Sequence, residues 1–511
     1  MKNAGHRSWA SVLGLTVAAS LLLAAPAGAL LEELRDSVQE FELENGLRFL
    51  VVERHDAPVF SYATCVDAGG VCEEAGKTGI AHMFEHMAFK GTETIGTTDF
   101  EAERQAMAKV DALWDEIRAE QAKGRRADTT RLAELREEFD AALEASHEYV
   151  VQNDFWTVIE ENGGRMINAF TGVDVTCYFY SLPSNRLELC ARMEGDRMAH
   201  PVLREFYQER DVVRTERRNS ESSPMGRLWL NSVSLGFEAH PYRDGVIGHV
   251  SDIEAFHRRD ARAFFDTYYV SNNMTVVFVG DVTLDEVKRF ARKYFSDVRE
   301  APDPPPVVTV EPEHKAERRL IMEEDANPVV MAGYLCPAAS DPDYATAELM
   351  MEILAGGRSS RLYERLVKQE QIATQAGAGT GNPGEKYPNM AGIFVYLAAG
   401  EDPFEAEQIV YEEIDRLIAE GPTPEELEKV KTGYLARQMR QLREPGWFAL
   451  FLGMAEAVHG HWSELFNHLD RIEAVTPEQV QALAAKMLLK ENRSVAIMTK
   501  PAPEAEGGEQ S

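Results

Sequence analysis

Two stretches of this chain, 219 residues apart, carry one pattern. "IEAFHRRDARAFFDTYYVSNNMTVVFVGDV" begins at Ile253 and "IEAVTPEQVQALAAKMLLKENRSVAIMTKP" at Ile472, and they align without a gap. Ile253 and Ile472, Glu254 and Glu473, Ala255 and Ala474, Ala263 and Ala482, Asn273 and Asn492, and Val276 and Val495 coincide. Each copy reads as a helix, a turn with asparagine and an apolar strand. A unit that recurs this way predicts duplication, with one copy closing each half. The length of 511 residues agrees, because one core seldom organises so long a chain.

The halves meet at "REAPDPPPVVTVEPEHK", residues 299–315, whose prolines cannot continue a helix and stiffen an extended connector. Each half opens on strands, "FELENGLRFLVVERH" and "VFSYATCVDAG" in the first, "RRLIMEE" and "PVVMAGYLCPA" in the second. Helices follow in both. The fold class expected is α+β: two duplicated mixed α/β sandwich domains, each an antiparallel-rich sheet with helices packed on it, over residues 30–298 and 316–501. One region breaks the symmetry. Residues 99–153 are charged and strongly helical, turn at "KGRRAD", and carry an apolar stripe of Leu113, Ile117, Leu132, Leu135 and Phe139. They read as an inserted helical hairpin, either a solvated decoration or a docking or gating element.

Residues 1–29 stand apart from the fold. Lys2 and Arg7 precede the apolar run "WASVLGLTVAASLLLAA", and "AGA" at Ala27 to Ala29 is a small-residue cleavage site. This is the pattern of a signal peptide, so an exported protein is expected, periplasmic or alternatively secreted, with no stable membrane span after cleavage. The acidic tail over 502–511 reads as disordered. A formal charge of -32 excludes nucleic acid as a partner, since phosphate binding needs a basic face. The five cysteines match no zinc spacing and read as mostly buried thiols, with room for one pair that the sequence does not assign.

The chemistry concentrates in "GIAHMFEHMAFKGTE", from Gly79. On a helix His82, Glu85 and His86 fall within an arc of roughly 100°. Imidazoles at i and i+4 can grip one metal ion while the carboxylate at i+3 points into the same space. Zinc suits such a ligand set, and a nearby glutamate can take a proton from its water. The arrangement is the inverted form of H-E-x-x-H. Ala81, Met87 and Phe89 flank the histidines, so the helix should be half-buried. A third ligand must come from elsewhere. The candidate is "LREFYQERDVVRTERRN", where Glu209 and Glu216 lie two turns apart on one face, which Val212 and Val213 suggest is turned inward. The alternative is a pair of surface glutamates balanced by Arg210, Arg214, Arg217 and Arg218.

Together "GIAHMFEHMAFKGT", "INAFTGVDVTCYFYSLP", "YQERDVVRTERR" and "GGRSSRLYERLV" resemble the M16 family of inverzincin metallopeptidases, from about Val38 to Pro501. That family includes insulin-degrading enzymes, pitrilysin and the mitochondrial processing peptidase. The resemblance implies that His82, His86 and Glu216 hold one zinc ion per chain, that Glu85 is the catalytic base, and that Glu209 supports the ligands from behind. It implies a zinc-dependent endopeptidase that hydrolyses peptides or unfolded segments, held extended, by zinc-activated water. The alternative is a noncatalytic chamber or scaffold subunit. The distal ligand comes later than in most members, and the 99–153 insertion accounts for the excess. "GGRMINAFTG" resembles the strand on which substrates lie, with Gly163 and Gly164 suited to a close backbone and Asn168, Ala169 and Phe170 lining the cleft.

In the second half "LMMEILAGGRSSRLY" takes the place of the metal helix and has no histidine. Family members use an Arg and a Tyr there for the carboxyl side of the substrate. This chain has Lys368 near the Arg position and Thr374 where Tyr is expected. The departure suggests a dimer, either of this chain or with a related noncatalytic M16 subunit.

Overall fold

The computed structural model describes residues 27–501, so the signal segment up to residue 26 and the tail over 502–511 lie outside the described residues. The first sheet holds β1 Val38–Glu42, β2 Arg48–Glu53, β3 Val59–Val66, β4 Arg165–Thr171, β5 Thr176–Pro183 and β6 Met274–Gly280, in the order β1-β2-β6-β3-β5-β4. The second holds β7 Arg318–Glu323, β8 Val329–Cys336, β9 Ala373–Asn382, β10 Asn389–Leu397 and β11 Arg493–Thr499, in the order β7-β11-β8-β10-β9. With β1 set aside, the two orders are the same. So are the senses: β2 with β6 and β7 with β11 run parallel, and every other pair runs antiparallel. The helices Arg258–Tyr268 and Pro477–Met487, and β6 and β11, stand at the 219-residue offset read in the sequence.

The sheets are interlocked. Pro224–Gly236 leaves the first half to pack on β7, β8 and β11, while Pro445–His459 leaves the second to pack on β3, β5 and β6. The second of these helices is apolar nearly all round, as "PGWFALFLGMAEAVH" requires of a helix covered on every side. That burial explains why β2, β3 and β6 are buried along nearly their whole length with no alternation: the first sheet is covered on both faces there. Gly453 sits at the closest approach, where an added Cβ would lie 2.9 Å from Cys65 Sγ. Cys65 is disulfide-bonded to Cys177, its partner across the β3–β5 ladder, and Cys72, Cys190 and Cys336 are thiols.

The segment 299–315 is more than a spacer. Glu311 accepts backbone N–H bonds from Glu238, Ala239 and His240 at 2.7, 2.9 and 3.0 Å, tying it to the end of the exchanged helix. Within 99–153, helices Phe100–Gln121 and Thr129–Ser146 pack together, capped by Asp99 and Asp128. Leu113, Ile117, Leu135 and Phe139 are buried there, with Leu132 partly so. The pair is anchored to the rest of the chain by charge. Arg204, 1% exposed, donates through Nε to Glu103 at 2.7 Å, and Tyr207 donates to Asp111 at 2.7 Å.

Candidate metal centre

The helix Ile80–Met87 starts where Gly79 takes φ +93°, and a Cβ there would lie 2.3 Å from the Ile247 carbonyl oxygen. Glu73 caps the start by accepting N–H bonds from Gly79 and Ala81 at 2.7 and 2.8 Å. Ala81, Met83, Phe84 and Met87 are buried and hold one face against the core. His82, Glu85 and His86 are left on the opposite face.

The second wall is the helix Phe206–Ser222. Phe206, Tyr207, Arg210, Val213 and Arg217 define its buried arc. Glu209 and Glu216 lie at the border of that arc. Val212, expected inward, is one step beyond the border and 43% exposed. The arginines do not balance the glutamates from the surface either. Arg210 and Arg217 are buried, the first with its guanidinium 4.2 Å from the Trp114 ring centroid in the inserted hairpin.

His82 Nε2 and His86 Nε2 each lie 3.8 Å from Glu216 Oε2. The three ligand atoms fall within 4.8 Å of one another, and among the described residues no other trio of His, Cys, Asp and Glu does so. A tetrahedron of ~2.1 Å bonds has edges of ~3.4 Å, so these donors fit a zinc ion with little adjustment. Glu209 Oε2 accepts from His86 Nδ1 at 3.2 Å, which leaves the Nε2 lone pair facing the site. Lys90 in turn pairs with Glu209 and, at 3.0 Å, with Glu205. Burial, then the neighbouring His86, pushes His82 down to about 4, so its ring is neutral and free to ligate a cation. Burial opposes the charge on His86, but the Glu209 hydrogen bond and the Glu216 and Glu209 charges outweigh it and raise its pKa. Glu85 is raised by burial, while Thr171 Oγ1 donates to its Oε2 at 2.6 Å and partly offsets the rise.

Thr171 closes β4, the edge strand, which pairs only with β5. A cavity of about 590 Å³ lies along it, lined by Glu85, His86, Phe89, Trp156, Asn168 and Ala169 among others. Phe170 is a correction: it packs on Phe179 and the Cys65, Cys177 and Leu450 cluster instead. Gly163 and Gly164 are a second correction. They form the turn after helix Asp154–Glu161, Gly163 at φ +90° and Gly164 where a Cβ would meet Ile159 Cγ2 at 2.5 Å. Local geometry accounts for both. Thr171, Lys90 and Glu73 were not singled out in the sequence, although the first two lie inside quoted motifs and Glu73 lies six residues before one.

Residues 48–113 match the family described as insulinase, peptidase family M16, and residues 255–434 match the M16 inactive domain. The chain belongs to peptidase family M16. It is 25% identical over 517 residues to the zinc protease PqqE of Helicobacter pylori, covering 97% of this chain and 100% of that one. It is 22% identical over 336 residues to the mitochondrial-processing peptidase subunit beta of Lentinula edodes, 63% and 60% covered. The crystal structure of a protease from Helicobacter pylori shares the fold at TM-score 0.75 and 21% identity, covering 90% of this chain and 99% of that one. The periplasmic protease PqqL from Escherichia coli shares it at TM-score 0.67 and 17% identity, covering 91% and 48%.

Proposed function

We propose that this chain is a zinc-dependent endopeptidase with one zinc ion per chain, held by His82, His86 and Glu216. The observation that carries the reading is the convergence of two neutral-capable imidazoles and Glu216 beside a buried glutamate that is not part of the trio. Zinc, when bound, supplies Lewis acidity that lowers the pKa of water and polarises a carbonyl. Glu85 takes the proton of the attacking water and returns it to the leaving amine. Its burial keeps it basic enough for this, and Thr171 aims its second oxygen. Glu209 holds His86 in the tautomer a ligand needs. The free edge of β4 receives an extended peptide by main-chain hydrogen bonds, with Asn168 and Ala169 at the cavity wall.

Relatives named as zinc proteases support the reading. The inactive-domain match, residues 255–434, begins beyond His82, His86 and Glu216, so it does not speak against catalysis in the first half. Export to the periplasm, or secretion, fits the N-terminal pattern and the periplasmic neighbour, and no helix among the described residues is long and apolar enough to cross a membrane. A dimer, with itself or with a related noncatalytic subunit, follows from Thr374 and Lys368. Thr374 bonds the Tyr396 carbonyl and Lys368 pairs with Glu364, so neither is a family-type anchor.

The deciding experiment is Glu85→Gln. It should retain zinc and the native fold while peptide hydrolysis falls at least ~100-fold. Hydrolysis within a few-fold of wild type would sink the reading.

A further inference from the structure

The duplication places a second cavity where the first half has its metal centre. Tyr344–Ala355 follows β8 as the His82 helix follows β3, and Pro424–Arg443 precedes an exchanged helix as Phe206–Ser222 does. These two helices, with Pro445–His459, Glu464–Ala474 and the β9–β10 loop, enclose about 220 Å³. Three carboxylates line it: Glu348 from the helix, Glu385 from the loop, and Glu464, which is paired with Arg471. Tyr434 donates to Glu348 at 3.2 Å and Tyr344 to Glu385 at 3.0 Å.

The cavity's one arginine is already paired. Arg471 is engaged by Glu464 at 3.0 Å, and Lys386 by Asp67. His459, 4.0 Å from Glu385, is pushed down to about 4 by burial and is neutral. His468 Nε2 lies 2.5 Å from Glu348 Oε2, yet the ring is not aligned to donate and that buried oxygen accepts no hydrogen bond. Burial first, and the charge of Glu348 second, push Glu385 up to about 7. Among the described residues, neither Glu348 nor Glu385 pairs with a lysine or an arginine. A cation arriving here would relieve that.

A metal ion does not fit the spacing, because no three ligand atoms of this cluster lie within 4.8 Å of one another. The walls suit a larger cation. Phe451, Met454, Leu465 and Leu469 give the cavity an apolar wall that suits a stem, and Glu348, Glu385, Tyr344 and Tyr434 give it oxygens that suit a charged head. We propose that this cavity binds the basic head of an alkylguanidinium or alkylammonium group, the chemistry of an arginine or lysine side chain. Such a group occurs both on a free amino acid or amine and on a basic residue of a bound peptide.

Calorimetry of the full chain with arginine amide, against norleucine amide as the uncharged control, tests the proposal without any need for activity. Arginine amide should bind and norleucine amide should not. Glu348→Gln and Glu385→Gln should each weaken binding about tenfold or more. Gln438→Lys, which brings a tethered ammonium to the cavity wall, should abolish it while leaving Glu348 and Glu385 in place. Two peptides differing only in an arginine or norleucine away from the cleaved bond then identify the source. A KM advantage of the arginine peptide that Glu348→Gln removes assigns the site to substrate, and binding of arginine amide without it assigns the site to a free ligand. No binding of arginine amide by the wild type, or binding unchanged in all three variants, overturns the proposal.

Discussion

His86 Nδ1 donates to Glu209 Oε2 at 3.2 Å, while His86 Nε2 faces Glu216 Oε2 at 3.8 Å. One ring is therefore held between two glutamates seven residues apart on a single helix, one bonded to its Nδ1 and the other facing its Nε2. The helical repeat that places Glu209 and Glu216 on one side determines both roles.

That division predicts different metal losses. Glu216→Ala should remove zinc outright at sub-micromolar free metal. Glu209→Gln should keep the ion but bind it ~10–100-fold more weakly, as expected when the partner of a ligating histidine is altered. Chelator competition measures both, and equal affinity in Glu209→Gln and wild type would show that Glu209 has no part in the site.

The inserted hairpin should prove structural as well as local. Arg204 makes a buried ion pair with Glu103 and donates to the Lys90, Ile95 and Thr92 carbonyls, two of them at 2.8 and 2.7 Å. Glu103→Ala leaves that guanidinium buried without its counter-ion, at a cost of about 3 kcal/mol. Because Arg204 also holds the turn after the His82 helix, zinc affinity should fall with stability. Urea unfolding and zinc titration of the same variant check the two effects. A loss below ~1 kcal/mol would mean that the hairpin is only loosely attached.

Much of this was legible in the sequence, and the reason is periodicity. His82, Glu85 and His86 share a face by helical repeat alone, and the gapless offset between Ile253 and Ile472 carried the duplicated sheet order. What was not legible depends on long-range packing. Val212 differs from Val213 only by 100° of rotation about a helix whose buried arc other residues set. Cys65 and Cys177 pair because β3 and β5 are neighbours in one register. The exchange of Pro445–His459 onto the first sheet was hidden too, since an apolar helix does not say which sheet it covers.

The exchange gives a sharp test at Gly453. In Gly453→Ala one Cα hydrogen is replaced by a methyl that would lie 2.9 Å from Cys65 Sγ and 3.4 Å from Val277 Cγ2, both in a tightly packed interface. Helix propensity favours alanine by up to ~1 kcal/mol, whereas overpacking costs ~1–3 kcal/mol. Overpacking should win, because the disulfide-bonded sulfur cannot swing away. Thermal unfolding should show a net loss, and it should be smaller in a Cys65→Ala, Cys177→Ala background where the obstructing sulfur is gone. An equal loss in both backgrounds would place the strain elsewhere.

Glu73 supplies the pH test. Burial pushes its carboxyl up from 4.5 to about 8, against the two N–H bonds from Gly79 and Ala81 that favour the ionised form. A group whose folded pKa is raised contributes stability that is fully present below its unfolded pKa and is lost as pH rises through the folded one. The contribution is therefore complete below about 4.5 and gone above about 8. Glu73→Gln holds a neutral side chain in the same place and cannot ionise. It forfeits one acceptor for the two backbone N–H groups, so it should be less stable than wild type at pH 5. The difference should then shrink, by an amount on the order of 1–3 kcal/mol, as the pH rises to 8 and wild type alone bears the cost of a buried charge. Chemical unfolding of both proteins at several pH values across this window measures it. A stability difference that stays constant from pH 5 to 8 would mean that Glu73 is ionised throughout, its charge satisfied by the start of the helix it caps.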